Sequence, residues 1–414
     1  MAWLFLVLSL IGAWFTWNAT HPIYRPSKAA TVSFVCGWIT GELALHHLLW
    51  QGLAVAFFIH HDVLSEVPGQ FGMLATLGSW IGLLQLFLMA LPTENTIMHA
   101  IGRAYTDMAL PVPPSPDKTN PLGWGRVFLP FPIRRRNVIR TRDICFGRAR
   151  GINLKLDVYQ HISRPRNAPV LLCVHGGAWL LGSKNHQCLP LALEMASRGW
   201  VSVNVNYRLS PHATFPEQLV DIKRAIHWIR SQGDAFGADP DFLMVSGLSA
   251  GGHLASLIAL TPNDRTLQPG FEDVNTEVQG CISLYGVYDL LDRDELWPHG
   301  DMTRLIEKQV LKASPEEDPA RWARACPLDQ VGSHAPPFLI IHGDRDSMVP
   351  VTTAQLFART LKETSQAPVA YAELNQAQHA FDVFPSLRTN LAVRAMATFA
   401  ENVRLADDPV ATSQ

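Results

Sequence analysis

The stretch SGLSAGGH, Ser246–His253, follows the apolar run FLMV and precedes LASLIAL. A β-rich run that breaks at glycines and resumes as an apolar helical pattern reads as strand, turn and helix. Inside it lies G-x-S-x-G, as Gly247-Leu248-Ser249-Ala250-Gly251. In that context the serine sits on a sharp, strained turn that pushes its hydroxyl out at the top of a sheet. Gly247 and Gly251 remove side chains that would collide there. The helix after Ser249 aims free N–H groups and the positive end of its dipole at the same point. The alternative is a glycine-rich turn with an incidental serine, and the flanking strand and helix weigh against it.

Outward from this unit the same alternation continues. ICFGRARGINLKLDVYQ reads as two strands joined at Arg150-Gly151, and Val170–Val174 and Val201–Tyr207 as two more. Phe215–Ser231 is amphipathic, with Leu219, Ile222, Ala225, Ile226 and Ile229 on one stripe. Helix-like Ala250–Leu260, strand-like Cys281–Gly286 and Pro337–Gly343, helical Thr353–Thr364, strand-like Val369–Leu374 and helical Leu387–Arg404 follow. Strands alternating with helices predict an α/β fold, a mostly parallel sheet flanked by helices. Such a sheet carries its working loops at the carboxyl ends of its strands.

A nucleophilic serine needs a base, and in this topology the chain order is Ser, then Asp or Glu, then His. IIHGDRDSMVP (Ile340–Pro350) ends a strand and offers Asp344 and Asp346. Beyond them the chain has a single histidine, His379, just past the strand ending near Leu374. If Ser249 is the nucleophile, His379 is nearly forced as its base.

The opposite charge requirement is met earlier. APVLLC runs into VHGGAWLLGS, Val174–Ser183. Adjacent glycines weaken a strand, so their use there is bare backbone. Attack on an ester carbonyl builds negative charge on oxygen, and each backbone N–H held against it is worth roughly 3 kcal/mol. Ala250, after the nucleophile, supplies one donor, and Gly176 and Gly177 supply the others. His175 orients the loop by hydrogen bonding. Trp179 either walls the acyl pocket or anchors the loop, with the anchor favoured, and Leu248 is a second candidate for the substrate pocket.

The chain has 414 residues, and only 17% are charged, below the roughly 25% of soluble domains. A net charge of -2 leaves no electrostatic footprint for nucleic acid. The six cysteines are scattered, with no C-x-x-C, which favours reduced thiols over a disulfide framework or a zinc site. The apolar excess lies before residue 100, in Met1–Trp17, in about Ala29–Ile59, and in Gln70–Leu91. A membrane span needs roughly 20 mostly apolar residues. The third stretch fits, the second is long enough with a tilt or break, and the first is short. Arg25, Lys28, Arg103, Arg126 and Arg134–Arg136 flank these stretches, and the excess of basic residues puts them and the C-terminal domain in the cytoplasm. Glu42, His46 and His47 can share one helix face. No third and fourth ligand can be named for a metal, so they read as partners within the helix bundle. FLPFPIRRR (Phe128–Arg136) either rests on an anionic membrane surface or packs over the next domain. The expected organisation is a helical membrane region over 1–104, a proline-rich and basic linker over 105–139, an α/β domain over 140–406, and a flexible tail over 407–414.

From about Asp143 to Ala406 the chain resembles α/β-hydrolase-fold esterases, especially the hormone-sensitive-lipase-like carboxylesterases. HGGAW, NYRLSP (Asn206–Pro211), FPEQLVD (Phe215–Asp221), GADP (Gly237–Pro240), GLSAGGH, YGVYD (Tyr285–Asp289), HGDRDSMVP and QHAFD carry the resemblance, in that order. It implies Ser249 as nucleophile, His379 as base and, by the later position of the HG-x-x-D form, Asp346 as acid. It departs in three places. Ala178 replaces the third glycine of HGGG, Leu248 stands where an acidic residue or threonine often precedes the serine, and HGDRDSMVP looks closer to the isoprenylcysteine methylesterases. The apolar region ahead of the domain is similar to that of membrane-associated actinobacterial lipases. The expected function is a membrane-attached serine carboxylesterase or lipase acting on an apolar small-molecule ester, with the lipid bilayer as partner and no cofactor or metal. An arylformamidase-type amide hydrolase and a catalytically idle binding module are the alternatives.

Overall fold

The structure is a computed structural model and describes residues 1–25, 27–116, 124–129, 134–297 and 300–407. Parts of the proline-rich linker, of WPHGDM and of the C-terminal tail lie outside the described residues.

Five helices come first: α1 (Ala2–Thr20), α2 (Ser27–Glu42), α3 (Ala44–His60), α4 (Val67–Ala90) and α5 (Thr93–Asp107). The seam between α1 and α4 is built from small polar side chains, which let helices approach closely. Thr16 Oγ1 and Ser79 Oγ lie 2.8 Å apart, and Thr76 donates to Ser9 Oγ at 2.9 Å. At one end of the bundle Ala2 and Phe5 pack with Val55, Phe58 and Val63. At the other, Ala19 packs with Ala44, Leu83 and Leu86. Hence α1, α3 and α4 alternate in direction. Their outer faces expose Trp3, Leu4, Val7, Leu53, Leu74, Ile81 and Leu84.

One expectation changes here. The first stretch, read as short, forms a helix of 19 residues, long and apolar enough to cross a membrane; so does Val67–Asp107, which joins α4 to α5 across Leu91 and Pro92. The second stretch carries the break that its length allowed. It turns by 88° between Glu42 and Ala44. The cause is Glu42, whose carboxylate pairs with Arg388 of the following domain at 2.9 Å. A straight helix would carry that charge into apolar surroundings instead.

The short α6 (Trp124–Phe128) leads into the sheet domain. Its Val127 packs with Ala90, Leu387 and Leu391, and Arg135 pairs with Glu194. These residues of the linker therefore pack over the next domain.

The strands are β1 (Val138–Ala149), β2 (Ile152–His161), β3 (Ala168–Val174), β4 (Val201–Val205), β5 (Ala238–Leu248), β6 (Gly280–Leu284), β7 (Phe338–Gly343) and β8 (Val369–Leu374). They form one eight-stranded sheet in the order β1-β2-β4-β3-β5-β6-β7-β8. β2 is antiparallel to β1 and β4, and every pairing from β4 to β8 is parallel. β3 is buried throughout, which explains its unbroken apolar run: helices cover both faces. One face takes α8 (Glu217–Gln232), α9 (Ala250–Leu260) and α12 (Val351–Thr364); the other takes α7 (Leu189–Ser197) and α13 (Leu387–Asp407). The insertion before β7 holds α10 (Asp301–Leu305), a π-helical turn and α11 (Pro319–Ala325), and sinks Ile306, Val310, Leu311 and Trp322 into the first core. α5 joins the second core through Ile97, Ala100, Ile101 and Ala104. It crosses the boundary drawn at 104 and belongs by packing to the sheet domain.

Candidate active site

β5 delivers Ser249 to the sheet top. Its backbone stands at φ 55°, ψ -121°, a conformation that costs a non-glycine residue about 1–3 kcal/mol. The turn closes because Ser249 N–H donates to Leu284 O at 3.0 Å and His253 N–H donates to Ser249 O at 3.0 Å. Gly251 makes this possible, since a Cβ there would lie 2.2 Å from Val174 O.

The loops after β7 and β8 bring Asp346 and His379 to the same place. His379 Nε2 lies 2.9 Å from Ser249 Oγ, and its Nδ1 lies 2.6 Å from Asp346 Oδ2. A carboxylate only accepts, so Nδ1 carries the proton and Nε2 is bare toward the serine hydroxyl. Asp346 Oδ1 accepts from the amides of Met348 and Val349, both at 2.8 Å. His342 Nε2 lies 3.0 Å from both Asp346 Oδ2 and Val349 O, two acceptors, so that nitrogen is also protonated. Burial opposes the Asp346 charge, but His379 and His342 outweigh it and hold the carboxyl well below the usual range. Asp344 serves the loop instead, its Oδ1 accepting from Gln376 N–H at 2.7 Å.

Two supports were invisible in the sequence. Gln378 Oε1 accepts from the amides of Ser347 and His379, at 2.8 and 2.9 Å, and so ties the two loops together. Tyr285 packs its ring against His379, centroids 4.5 Å apart, and donates its hydroxyl to Asp382. Burial raises the Asp382 carboxyl to about 6.

The glycine loop after β3 lies beside Ser249, with Gly177 at φ 119°, which a side chain would strain. Of the three amides expected to face an oxyanion, Gly176 N–H donates to Gln187 Oε1 at 2.6 Å. Among the described residues, the amides of Gly177, Ala178 and Ala250 have no hydrogen-bond partner. His175 is held neutral by burial, its pKa lowered to about 4, and Tyr207 stacks on its ring and donates to its carbonyl at 3.0 Å. Trp179 is buried and donates to His253 Nδ1 at 3.2 Å, so it pins the loop to α9. Leu248 is buried at the end of β5.

The residues of the second apolar stretch part company. Glu42 goes to Arg388 and Ser386, His46 Nε2 lies 3.0 Å from Phe128 O, and His47 Nδ1 accepts from Trp50 at 3.2 Å. Among the described residues no group of three His, Cys, Asp or Glu side chains is arranged to hold a metal.

Comparisons with known proteins agree with this architecture. The BD-FAE family profile matches residues 156–361. The chain is similar to the probable carboxylic ester hydrolase LipM of Mycobacterium tuberculosis, 34% identical over 414 residues, covering 96% of this chain and 93% of that one. It is also similar to the esterase LipQ of the same organism, 41% identical over 267 residues, covering 64% of this chain and 63% of that one. The fold is shared with an esterase from Thermogutta terrifontis, TM-score 0.52 at 23% identity, covering 68% of this chain and 95% of that one. An apolar helical region followed by a sheet with this strand order, matched nearly end to end by one relative, places the chain in the α/β-hydrolase-fold carboxylesterase and lipase family.

Proposed function

We propose that this protein is a membrane-attached serine carboxylesterase that cleaves apolar carboxylic esters through an acyl-enzyme. The observation that carries the reading is the continuous relay Ser249–His379–Asp346 at the carboxyl ends of three strands.

The chemistry follows from the hydrogen positions. Ser249 Oγ attacks the ester carbonyl carbon while its proton passes to His379 Nε2. The carbonyl oxygen becomes an oxyanion, for which Gly177 and Ala250 offer free amides and Ala178 a third. Collapse expels the alcohol, which takes the proton back from His379. Water then attacks the acyl carbon, His379 takes its proton, and the acid leaves as Ser249 is restored. Asp346 keeps the imidazole in the tautomer that both steps need and supports its charge.

The membrane part of the reading rests on α1, α3 and α4. Each spans roughly 25–36 Å at about 1.5 Å per residue, close to the hydrocarbon thickness of a bilayer. With α1 and α4 ending at the sheet domain and α3 leaving it, the basic residues near the domain favour a cytoplasmic position for it.

The test is a fluorophosphonate probe, which bonds its phosphorus to an activated serine oxygen with loss of fluoride. The purified protein should be labelled at Ser249, and Ser249→Ala should not be labelled. A folded wild-type protein that resists the probe would overturn the reading.

A further inference from the structure

The helix that turns away from the bundle does not lie idle. α2 crosses the face of the sheet domain beside the relay. The ring of Phe34 meets that of His379 edge-on, centroids 6.0 Å apart. Trp38 stacks on Phe384 at 4.8 Å and donates its indole N–H to the carbonyl of Ala380, the residue after His379, at 2.8 Å. Four residues further, Glu42 is locked to Ser386 and Arg388. These contacts fall at 34, 38 and 42, one per helical turn, so a single stripe of α2 faces the domain. A second stripe, Ser33 and Gly37, sits against Asn18 of α1, where Ser33 donates to Asn18 Oδ1 at 2.5 Å. Val32 and Val35 remain exposed. α2 is therefore wedged between the bundle and the catalytic loops.

We infer that α2 is a built-in wall of the active site, in which Phe34 selects esters with a long apolar chain and Trp38 positions the loop that carries His379. The inference rests on the hydrolase reading and deepens it. An apolar ring at the edge of the general base leaves no polar partner for a substrate on that side, so the moiety that fits there is a hydrocarbon chain. Val32 and Val35 add exposed apolar surface to the same helix, which makes a water-insoluble ester the matching substrate class. Trp38 acts differently. It never reaches the reacting atoms, and its N–H holds the backbone of the segment whose imidazole must stay within hydrogen-bond reach of Ser249.

The experiment uses the full chain in detergent micelles, with p-nitrophenyl acetate, butyrate and octanoate as substrates. Phe34→Ala should lower the octanoate-to-acetate ratio of kcat/KM about tenfold, mainly through KM for octanoate. Phe34→Trp, which narrows the same wall, should shift the preferred chain length downward. Altered selectivity is a readout that loss of folded protein does not produce. Trp38→Phe keeps a ring against Phe384 but removes the donor, and should lower kcat about tenfold for every ester with KM unchanged. Chain-length ratios in both Phe34 variants equal to wild type, or kcat of Trp38→Phe equal to wild type, would overturn the respective role. Fluorophosphonate labelling of the wild type in the same preparation separates these outcomes: a labelled wild type with unmoved ratios defeats the wall, whereas an unlabelled one defeats the hydrolase reading itself.

Discussion

Glu42 and Arg388, 346 positions apart in the chain, form an ion pair in which each side chain is only 2% exposed. Ser386 donates to the other carboxylate oxygen, and Arg388 also donates to Asn375 O at 2.9 Å. Removing one partner leaves a charge buried without its counterpart, which costs about 3–5 kcal/mol, while replacing both by apolar residues is often neutral. Glu42→Leu alone should therefore lower the thermal midpoint in detergent by several degrees, and Glu42→Leu with Arg388→Met should recover most of the loss. A double variant as unstable as the sum of the singles would show that the two residues do not act as a pair.

Asp344 and Asp346 are two residues apart and face different groups. Asp346→Asn presents an amide to His379 Nδ1, which disfavours the required tautomer, and should cut kcat/KM by about 10⁴. Asp344→Asn keeps an acceptor for Gln376 N–H and should leave turnover near wild type. Equal losses in the two variants, measured on a short aryl ester, would reassign the acid.

Stability should carry opposite pH signatures from two carboxyls. Asp382 titrates near 6 in the folded protein because burial disfavours its charge, whereas an unfolded aspartate titrates near ~4. The folded state holds this proton more tightly, so its contribution is full below about pH 4 and lost as pH rises through about 6. Asp382→Asn cannot ionise and should raise the thermal midpoint by a few degrees at pH 7, with the difference vanishing near pH 4. Asp346 has a depressed pKa, and its contribution is present above about pH 4 and lost as pH falls further. A midpoint difference for Asp382→Asn that is the same at pH 4 and pH 7 would remove it as the titrating group.

Gly177 stands at φ 119°, and a Cβ there would come within 2.1 Å of Leu181 O. Gly177→Ala must shift the loop and turn the Gly177 amide away from the oxyanion position. The expected loss is about 10²–10³ in kcat, the cost of one misplaced donor. Unchanged kcat would mean that the oxyanion is held by other amides.

Legibility followed the range of the interactions. The strand–turn–helix at Ser249 is local, so alternating apolar runs and two glycines were enough to expose it. The order Ser, Asp, His narrowed the base to a single residue, but Asp344 and Asp346 were separable only by resemblance, because their roles depend on how two loops meet. The diversion of the Gly176 amide to Gln187 was hidden, since it requires the chain to fold back eleven residues later. A break in the second apolar stretch was expected, but the partner that holds it at Glu42 was hidden for the same reason. Composition marks Glu42 as costly in an apolar helix, and only the tertiary structure reveals Arg388 as the group that draws it out. Gln378 and Tyr285 lie inside recognisable motifs, yet nothing in their spacing says that one laces two loops and the other props a ring.

The run Val67–Asp107 begins in the bundle and ends inside the sheet core, with only Leu91 and Pro92 between its two parts. Its 41 residues amount to a mast of roughly 60 Å. On the proposed membrane reading, with its α4 part set in a bilayer, the catalytic mouth would hang at a fixed depth and compass bearing, with no slack tether on which to swing. Deleting one residue at that join would turn α5 by about 100° against α4 and set the sheet domain at odds with the Glu42–Arg388 and Trp38–Ala380 contacts. On the proposed membrane reading, such an enzyme would meet its esters within its own leaflet and not out in the surrounding water.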